Sequence, residues 1–326
     1  MPEMTLVEAV NLALARAMLE DPDVVVLGED VGVNGGVFRA TAGLQKRFGP
    51  ERVIDTPLSE LLISGACVGM AAQGLKPVGE IQFMGFLYPC IDQLVNHASR
   101  LRTRTQGRLT CPMVLRVPYG AGIRAPEHHS ESTEAMLTHI PGLRVVVPSS
   151  PAQAYGLLLA AIRNPDPVVF LEPTRIYRSV KDEVADSGDA LPLDVAFVLK
   201  EGRDVTIVSW GAMLKETLLA AEQLGGTGIS AEVIDVATLK PYDEETILSS
   251  VAKTGRCVIV HEAARTAGFG AEIAALLAER GISTLLAPVI RITGLDTVIP
   301  LPRLEGHYMP SVERIIAAAR KVCQFS

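Results

Sequence analysis

Short apolar runs alternate with longer amphipathic segments along almost the whole chain. The runs have the length of buried strands, and the segments between them place apolar residues at helical spacing. This order is typical of βαβ units, in which helices cover both faces of a parallel sheet. It predicts an α/β fold of doubly wound parallel sheets. In the first half we expect strands at 24–27, 53–55, 77–83, 113–117, 143–148 and 167–171, with helices at 6–19, 58–73, 91–102 and 152–163.

The alternation stops once, in a polar stretch, and then resumes. Residues 181–195 carry charged residues, Gly188 and Pro192, which favour a linker. With 326 residues, 48% of them hydrophobic, the chain is long enough for two cores. We therefore predict domains at 1–180 and 196–326. The second should contain strands at 205–209, 231–236, 257–261 and 289–292, and helices at 212–224, 243–253, 271–280 and 310–322.

The overall charge and the cysteines limit the classes of partner. A net charge of -7 argues against a protein that binds the phosphate backbone of nucleic acids, and the arginines of 100–108 fit a solvated or partner-facing helix end. The five cysteines lack the close pairing of a metal site and indicate buried thiols in a reducing compartment. Residues 1–20 are amphipathic, and no later stretch is long enough to span a bilayer. We expect a cytoplasmic protein without membrane partners.

Two carboxylates follow two neighbouring predicted strands. Glu29 comes directly after 24–27, and Glu60 follows 53–55 at the start of a predicted helix, with Thr56 as its cap and Pro57 in its first position. Open α/β sheets build their sites at this edge. A carboxylate in a first helical turn is favoured by the helix dipole, and shielding by a ligand raises its pKa. The alternative is a solvated glutamate that only stabilises the helix.

Ordered motifs over residues 4–320 resemble one enzyme family. They lie at 28–32, 35–38, 52–60, 80–83, 91–94, 129–130, 141–143 and 253–256. Together they are similar to the beta subunits of the thiamine-diphosphate-dependent 2-oxoacid dehydrogenases, which include the pyruvate and branched-chain decarboxylase components. The resemblance implies a transketolase-like pyrimidine-binding domain followed by a transketolase C-terminal domain. It also implies oxidative decarboxylation of a 2-oxoacid and transfer of the acyl group to a lipoyl domain.

Pyruvate is the favoured substrate within this class. Branched-chain 2-oxoacids and acetoin are the alternatives, because residues facing the substrate lie partly on another chain. A non-catalytic assembly subunit is an alternative of another class, although the presence of both Glu29 and Glu60 speaks against it.

The resemblance assigns roles to four side chains. Glu60 matches the catalytic acid that shares a proton with the ring nitrogen of the cofactor's aminopyrimidine, and Glu29 matches a second acid near that ring. Phe86 matches the aromatic residue that packs against the pyrimidine. His129 matches a catalytic histidine that serves the acyl intermediate and the incoming lipoyl group. A capping acid, a core phenylalanine and a structural histidine are the respective alternatives.

Three positions depart from the family pattern. Gly85 stands where relatives usually have Asp, Thr103 where they commonly have Tyr, and Glu131 where they have Gln. The local contacts of these positions are therefore open. The glycines at 268 and 270 lack the third glycine of a dinucleotide loop, so this segment favours a helix entry.

The cofactor's diphosphate should be held by a partner chain. The family's magnesium motif, Gly-Asp-Gly followed later by Asn, is absent. The most similar sequence is Gly188-Asp189-Ala190. The resemblance therefore implies an alpha subunit that holds magnesium and the diphosphate in an alpha2beta2 assembly, and a lipoyl acyltransferase core as a further partner. It also implies a potassium loop formed by backbone carbonyls, for which a proline-stiffened turn is the alternative. The candidate residues are Met113, Ala161, Ile162, Asn164 and Asp166.

Overall fold

The computed structural model describes residues 2–325, which form two compact units. The first consists of the residues up to Tyr119 together with Met136–Leu193, and the second of Gly120–Ala135 together with the residues from Asp194 onwards. The predicted division into 1–180, 181–195 and 196–326 remains a proposal about domain organisation. The units differ from it in two respects, because the segment Gly120–Ala135 is built into the second unit and the stretch 181–193 belongs to the first unit.

The first unit contains strands β1 to β8 and most of the shorter helices. The strands are β1 Glu3–Thr5, β2 Val24–Gly28, β3 Val53–Asp55, β4 Lys76–Glu80, β5 Val114–Tyr119, β6 Arg144–Val146, β7 Val168–Pro173 and β8 Lys181–Glu183. The helices are α1 Leu6–Glu20, α2 Leu44–Phe48, α3 Glu60–Ala72, α4 Ile91–Asn96, α5 Leu101–Arg104 and α7 Pro151–Arg163. The chain passes between the two units within α6, Glu134–Thr138.

The central strands of the first unit are parallel, and β2, β3 and β4 are in register at their carboxyl ends. They lie in the order β6-β7-β5-β4-β2-β3, while β1 and β8 pair antiparallel elsewhere. Gly28, the last residue of β2, is opposite Asp55 of β3 and Glu80 of β4. The residues that follow these strands therefore leave the sheet side by side.

The second unit repeats the α/β pattern. Its strands are β9 Phe197–Lys200, β10 Val205–Ser209, β11 Ala231–Asp235, β12 Thr238–Lys240, β13 Cys257–Val260 and β14 Ile290–Ile292. Its helices are α8 Leu214–Gly225, α9 Glu244–Thr254, α10 Gly270–Arg280, α11 Glu305–Tyr308 and α12 Val312–Cys323. One sheet runs in the order β14-β13-β10-β11-β9, with only β9 antiparallel to its neighbour. The predicted α/β class of parallel sheets is thus confirmed.

The predicted helix at 91–102 and the predicted linker at 181–195 both differ from the structure. The helix expected at 91–102 is broken after Asn96, and a 3-10 turn, Ala98–Arg100, separates α4 from α5. The hydroxyl of Ser99 donates to the carbonyl of Val95, a local bond that competes with regular helix. The polar stretch at 181–195 contains β8, which pairs with β1.

None of the helices in the described part of the chain combines the length and apolar character that a membrane span requires.

A buried ionic network ties three central strands of the first unit together. Arg116 of β5 is fully buried and donates two hydrogen bonds to Glu172 of β7, at 2.6 and 2.8 Å, and one to Glu80 of β4, at 2.7 Å. The hydroxyl of Tyr177 also donates to Glu172. Burial raises the pKa of Glu80, although Arg116 opposes that shift. One guanidinium therefore compensates two carboxylates inside the protein.

We expect Arg116→Ala to destabilise the chain strongly. The substitution leaves Glu80 and Glu172 buried without their cation, and removing one partner of a buried pair costs about 3–5 kcal/mol. Urea unfolding measures the change. The matched control is Arg163→Ala, because the side chain of Arg163 is 41% exposed and pairs with Glu20 at the surface, a type of pair worth about 0–1 kcal/mol. Equal losses in the two variants would contradict the importance of the network.

Candidate functional site

Glu29 and Glu60 follow the adjacent, in-register ends of β2 and β3. Glu29 comes directly after Gly28, and Glu60 is the first residue of α3. The positive end of the helix dipole favours a carboxylate at the Glu60 position. The structure thus places both predicted acids at the same edge of one sheet.

The cap of α3 is not the residue predicted from the sequence. Ser59 occupies the cap position, and its hydroxyl accepts a hydrogen bond from the N–H of Leu62 at 3.4 Å. Thr56 remains outside the helix, where its N–H continues the strand pattern by donating to the carbonyl of Gly28 at 3.0 Å. The helix therefore starts later than expected, and Glu60 moves into its first position.

Glu29 has an unusual electrostatic environment. It is only 8% exposed, and within residues 2–325 its Oε1 atom has no hydrogen-bond partner. Burial raises the pKa of Glu29, and the negative charge of Glu60 raises it further, while a backbone hydrogen bond from Ser59 acts in the opposite direction. The charge of Glu60 therefore acts on Glu29, and one buried oxygen of Glu29 is available to a donor on a ligand.

Asp55 fixes the backbone that follows Glu29, a role that was not predicted. Its carboxylate accepts the N–H of Gly32 at 2.6 Å and that of Val33 at 3.4 Å. A Cβ atom at position 32 would lie 2.5 Å from the Asp55 carboxylate, so the close approach requires glycine. The signal was present in the sequence, since Asp55 ends a predicted strand, but which backbone it holds depends on distant residues.

Phe86 lies in a short 3-10 turn after β4, at the same edge of the sheet. The turn is Met84–Phe86, and the ring of Phe86 is half-buried. It packs edge-on against Phe83, with centroids 5.9 Å apart, and Phe83 packs in turn against Phe38 at 5.3 Å. Gly85 is buried within this turn. The predicted aromatic side chain is thus positioned by other rings.

His129 lies in the second unit, in the segment Gly120–Ala135. It ends a 3-10 turn, Glu127–His129, in which its N–H donates to the carbonyl of Pro126 at 2.9 Å. The side chain is half-buried, whereas that of His128 is exposed. Glu131, which replaces the family's Gln, is partly buried, and burial raises its pKa.

The predicted cation loop is a hydrogen-bonded connection between α7 and β7. The carbonyl of Ala161 accepts the N–H of Asn164 at 3.2 Å, and the carbonyl of Met113 accepts the N–H of Val168 at 3.0 Å. Ile162 lies in the last turn of the helix. The carboxylate of Asp166 pairs with two arginines, at 2.7 Å and 3.8 Å. Carbonyl oxygens remain the candidate ligands here, because the acidic side chain already has partners.

The remaining motifs behave as structural elements. Helix α10 begins at Gly270, so the glycines at 268 and 270 form a helix entry, as predicted. The His261 ring stacks on Trp210, with centroids 5.2 Å apart. Within residues 2–325 no three His, Cys, Asp or Glu side chains form a group that could hold a metal ion.

Two family models match most of the chain. Residues 2–180 match the pyrimidine-binding domain of transketolase, and residues 194–315 match the transketolase C-terminal domain. The pyruvate dehydrogenase E1 component subunit beta of Acholeplasma laidlawii is 51% identical over 321 residues, which cover 98% of each chain. The proteins of the same name from Staphylococcus epidermidis and Staphylococcus aureus are 47% and 46% identical over 325 residues, which cover 100% of each chain.

Solved structures show the same architecture. A split-gene transketolase, described as an inactive beta4 tetramer, has a TM-score of 0.80 and 25% identity, with 99% of each chain covered. A transketolase from Pichia stipitis has a TM-score of 0.73 and 15% identity, and covers 100% of this chain but 46% of its own. This second likeness concerns the fold alone.

We expect Glu29→Gln to stabilise the chain at pH 7. The raised pKa means that the folded state disfavours the ionised carboxylate, so stability is lost as the pH rises through the folded pKa, and a neutral side chain avoids that loss. The gain in thermal midpoint should shrink as the pH falls to about 4, the ordinary pKa of glutamate. Thermal unfolding across this range provides the measurement.

The matched control for this substitution is Glu183→Gln, because Glu183 is exposed on β8. Its thermal midpoint should follow that of the unsubstituted chain at every pH. A Glu29→Gln gain that grows on acidification would show that the shift has the opposite sign.

Proposed function

The chain belongs to the family of pyruvate dehydrogenase E1 beta subunits, and from this membership we propose that it completes a decarboxylase that acts on pyruvate. It is a component of a 2-oxoacid dehydrogenase that works with an alpha subunit. The observation that carries the proposal is the pair of acids, Glu29 and Glu60, at adjacent strand ends of a pyrimidine-binding domain. Branched-chain 2-oxoacids and acetoin are the rival substrates.

The residues present fit the pyrimidine half of thiamine diphosphate. An aminopyrimidine is a flat ring with nitrogen donors and acceptors on its edge. The buried, unpartnered Oε1 of Glu29 suits such a donor, the carboxylate of Glu60 suits a ring nitrogen, and the half-buried ring of Phe86 suits a flat apolar face. When bound, the cofactor supplies the electron sink for decarboxylation.

The protein's own task at this site is to control protons. Glu60 would hold a proton between its carboxylate and the ring nitrogen. The negative charge of Glu60 helps to raise the pKa of Glu29, so Glu29 is the group here whose protonated form the site favours.

His129 would serve the second half of the reaction. A histidine can give and take a proton near neutral pH, which suits opening of the lipoyl dithiolane by acyl transfer. The turn that carries it lies between two anchored ends of the segment Gly120–Ala135, and Glu127 and His128 on that turn are exposed. We expect the lipoyl domain of the acyltransferase core to bind at this turn.

An alpha subunit would supply the diphosphate and magnesium site. Support for such a partner comes from large apolar side chains that are exposed near the two acids. Val33 is 87% exposed and Leu58 is 82% exposed, and Leu61 and Leu62 on the first turn of α3 are also exposed. Patches of this kind are typical of protein interfaces. The solved beta4 tetramer of a split-gene transketolase is described as inactive, which parallels the need for a second kind of chain.

Two finer assignments belong to the same proposal. A potassium ion at the loop 161–166 would use main-chain carbonyls, and it stays a prediction. A cytoplasmic location is supported by the cysteines, since all five carry free thiols and four of them are buried.

The direct test is an activity assay on the complex with an alpha chain. We expect the complex to decarboxylate pyruvate with a higher kcat/KM than branched-chain 2-oxoacids or acetoin, measured with an artificial electron acceptor. We expect this chain without the alpha subunit to be inactive. A preference for a branched-chain acid would reassign the substrate, and no turnover of any of these compounds would favour an assembly subunit.

We expect Glu60→Gln to lower kcat by at least about a hundredfold, the usual contribution of a positioned proton-transfer group. An amide keeps the size of the side chain but cannot take the proton. Steady-state kinetics on the same complex measure the loss. Glu279→Gln, an exposed position on α10, is the matched control and should be unchanged. Near-normal turnover of Glu60→Gln would remove this residue from the chemistry.

A further inference from the structure

The segment Gly120–Ala135 carries His129. Near its start, two backbone N–H groups donate hydrogen bonds to buried carboxylates of the second unit. The N–H of Ala121 donates to Oε2 of Glu262 at 3.0 Å, and the N–H of Gly122 donates to Oε1 of Glu305 at 2.7 Å. The two glutamates are 4% and 6% exposed. A backbone N–H that meets a charged acceptor makes a stronger hydrogen bond than one that meets a neutral acceptor.

The backbone at this point is shaped to reach both acids. Gly120 and Gly122 have φ angles of +95°, a conformation that favours glycine. A Cβ atom at Gly120 would lie 2.8 Å from Oε1 of Glu262, so a side chain would push the carboxylate away. Between the two glycines, Ala121 is 1% exposed and packs into the apolar core of the second unit.

The far end of the segment is held independently. Glu134 is fully buried, and its Oε1 atom accepts the indole N–H of Trp210 at 3.3 Å. The N–H of Gly120 also donates to the carbonyl of Glu131 at 3.0 Å, which brings the two ends of the segment together. Both ends of the segment that carries the His129 turn are therefore held by hydrogen bonds.

The positions of the two clamping acids are set by regular structure. Glu262 follows β13 by two residues, and Glu305 is the first residue of α11. A Cβ atom at Gly294 would lie 2.3 Å from the carbonyl of Glu262 and 2.6 Å from the ring of Tyr308, so the surroundings of Glu262 are closely packed. Both acids are therefore held by the surrounding structure, and both are almost fully buried.

We propose that Glu262 and Glu305 are positioning residues for His129. By fixing the N–H groups of Ala121 and Gly122, they set where the turn with the histidine starts. Loss of either acid frees one end of the loop and leaves the histidine present but out of place. The inference rests on the proposed function, because it requires His129 to take part in acyl transfer.

The first experiment follows the loop itself. Arg124 is exposed on this loop, so trypsin cleavage after it reports opening. In the complex with the alpha subunit, Glu262→Ala and Glu305→Ala should speed this cleavage at least about tenfold, the scale expected for one lost charge-assisted hydrogen bond. Mass spectrometry identifies the fragments. Glu279→Ala, on the exposed face of α10, is the matched control and should cleave at the unsubstituted rate.

The second experiment separates positioning from general stability. The rate of lipoyl-domain acylation should fall at least about tenfold in both alanine variants, while decarboxylation with an artificial acceptor changes less than about twofold. Glu305→Gln keeps an acceptor oxygen and should restore acylation. If an alanine variant fails to fold, Glu305→Asp takes its place, since it keeps the charge but is one methylene shorter.

Three results would overturn the inference. These are unchanged cleavage in folded variants, equal losses of acylation and decarboxylation, and no rescue by Glu305→Gln. His129→Ala is measured alongside. If that variant acylates normally, the proposed role of the histidine fails, whereas the cleavage rates still show whether the two acids hold the loop.

Discussion

The first unit depends on one buried cation. Arg116 joins carboxylates on the strands to either side of its own, and Tyr177 completes the set by donating to Glu172. Buried charges of this kind contribute little net stability, since desolvation offsets much of their attraction. Their geometric effect is larger, because the bidentate contact to Glu172 and the contact to Glu80 join three neighbouring strands in the observed register. Glu29 follows β2 and Phe86 follows β4, so their positions at the edge of the sheet depend on that register.

Much of the fold could be predicted because its signals are local. The apolar runs that became β2, β10 and β13 are buried throughout, and parallel strands necessarily present their carboxyl ends together. From this alone Glu29 and Glu60 could be expected at one edge. The choice between two neighbouring helix caps was harder to predict. Thr56 and Ser59 are both good caps, and the choice between them depends on where β3 releases the chain.

The parts that could not be predicted are set by distant residues. The segment Gly120–Ala135 reads as a glycine-rich loop after β5, and nothing within it shows that its N–H groups meet acids more than a hundred residues later. The same holds for Arg116, a charged residue inside an apolar run, whose partners lie 36 and 56 positions away. A charge within a predicted buried strand is the available signal, but it indicates that a partner exists and not which residue it is.

The buried carboxylates of this chain show how one functional group is given different tasks. Glu80 and Glu172 are committed to a guanidinium, and Glu262 and Glu305 to backbone N–H groups, so each has an oxygen occupied by a fixed donor. Glu29 differs, because it is nearly as buried but keeps an oxygen without a donor and lies near a second acid. An unsatisfied buried oxygen destabilises a protein unless something binds it. Its retention beside Glu60, in a domain of the pyrimidine-binding class, is explained if a ligand supplies the missing donor.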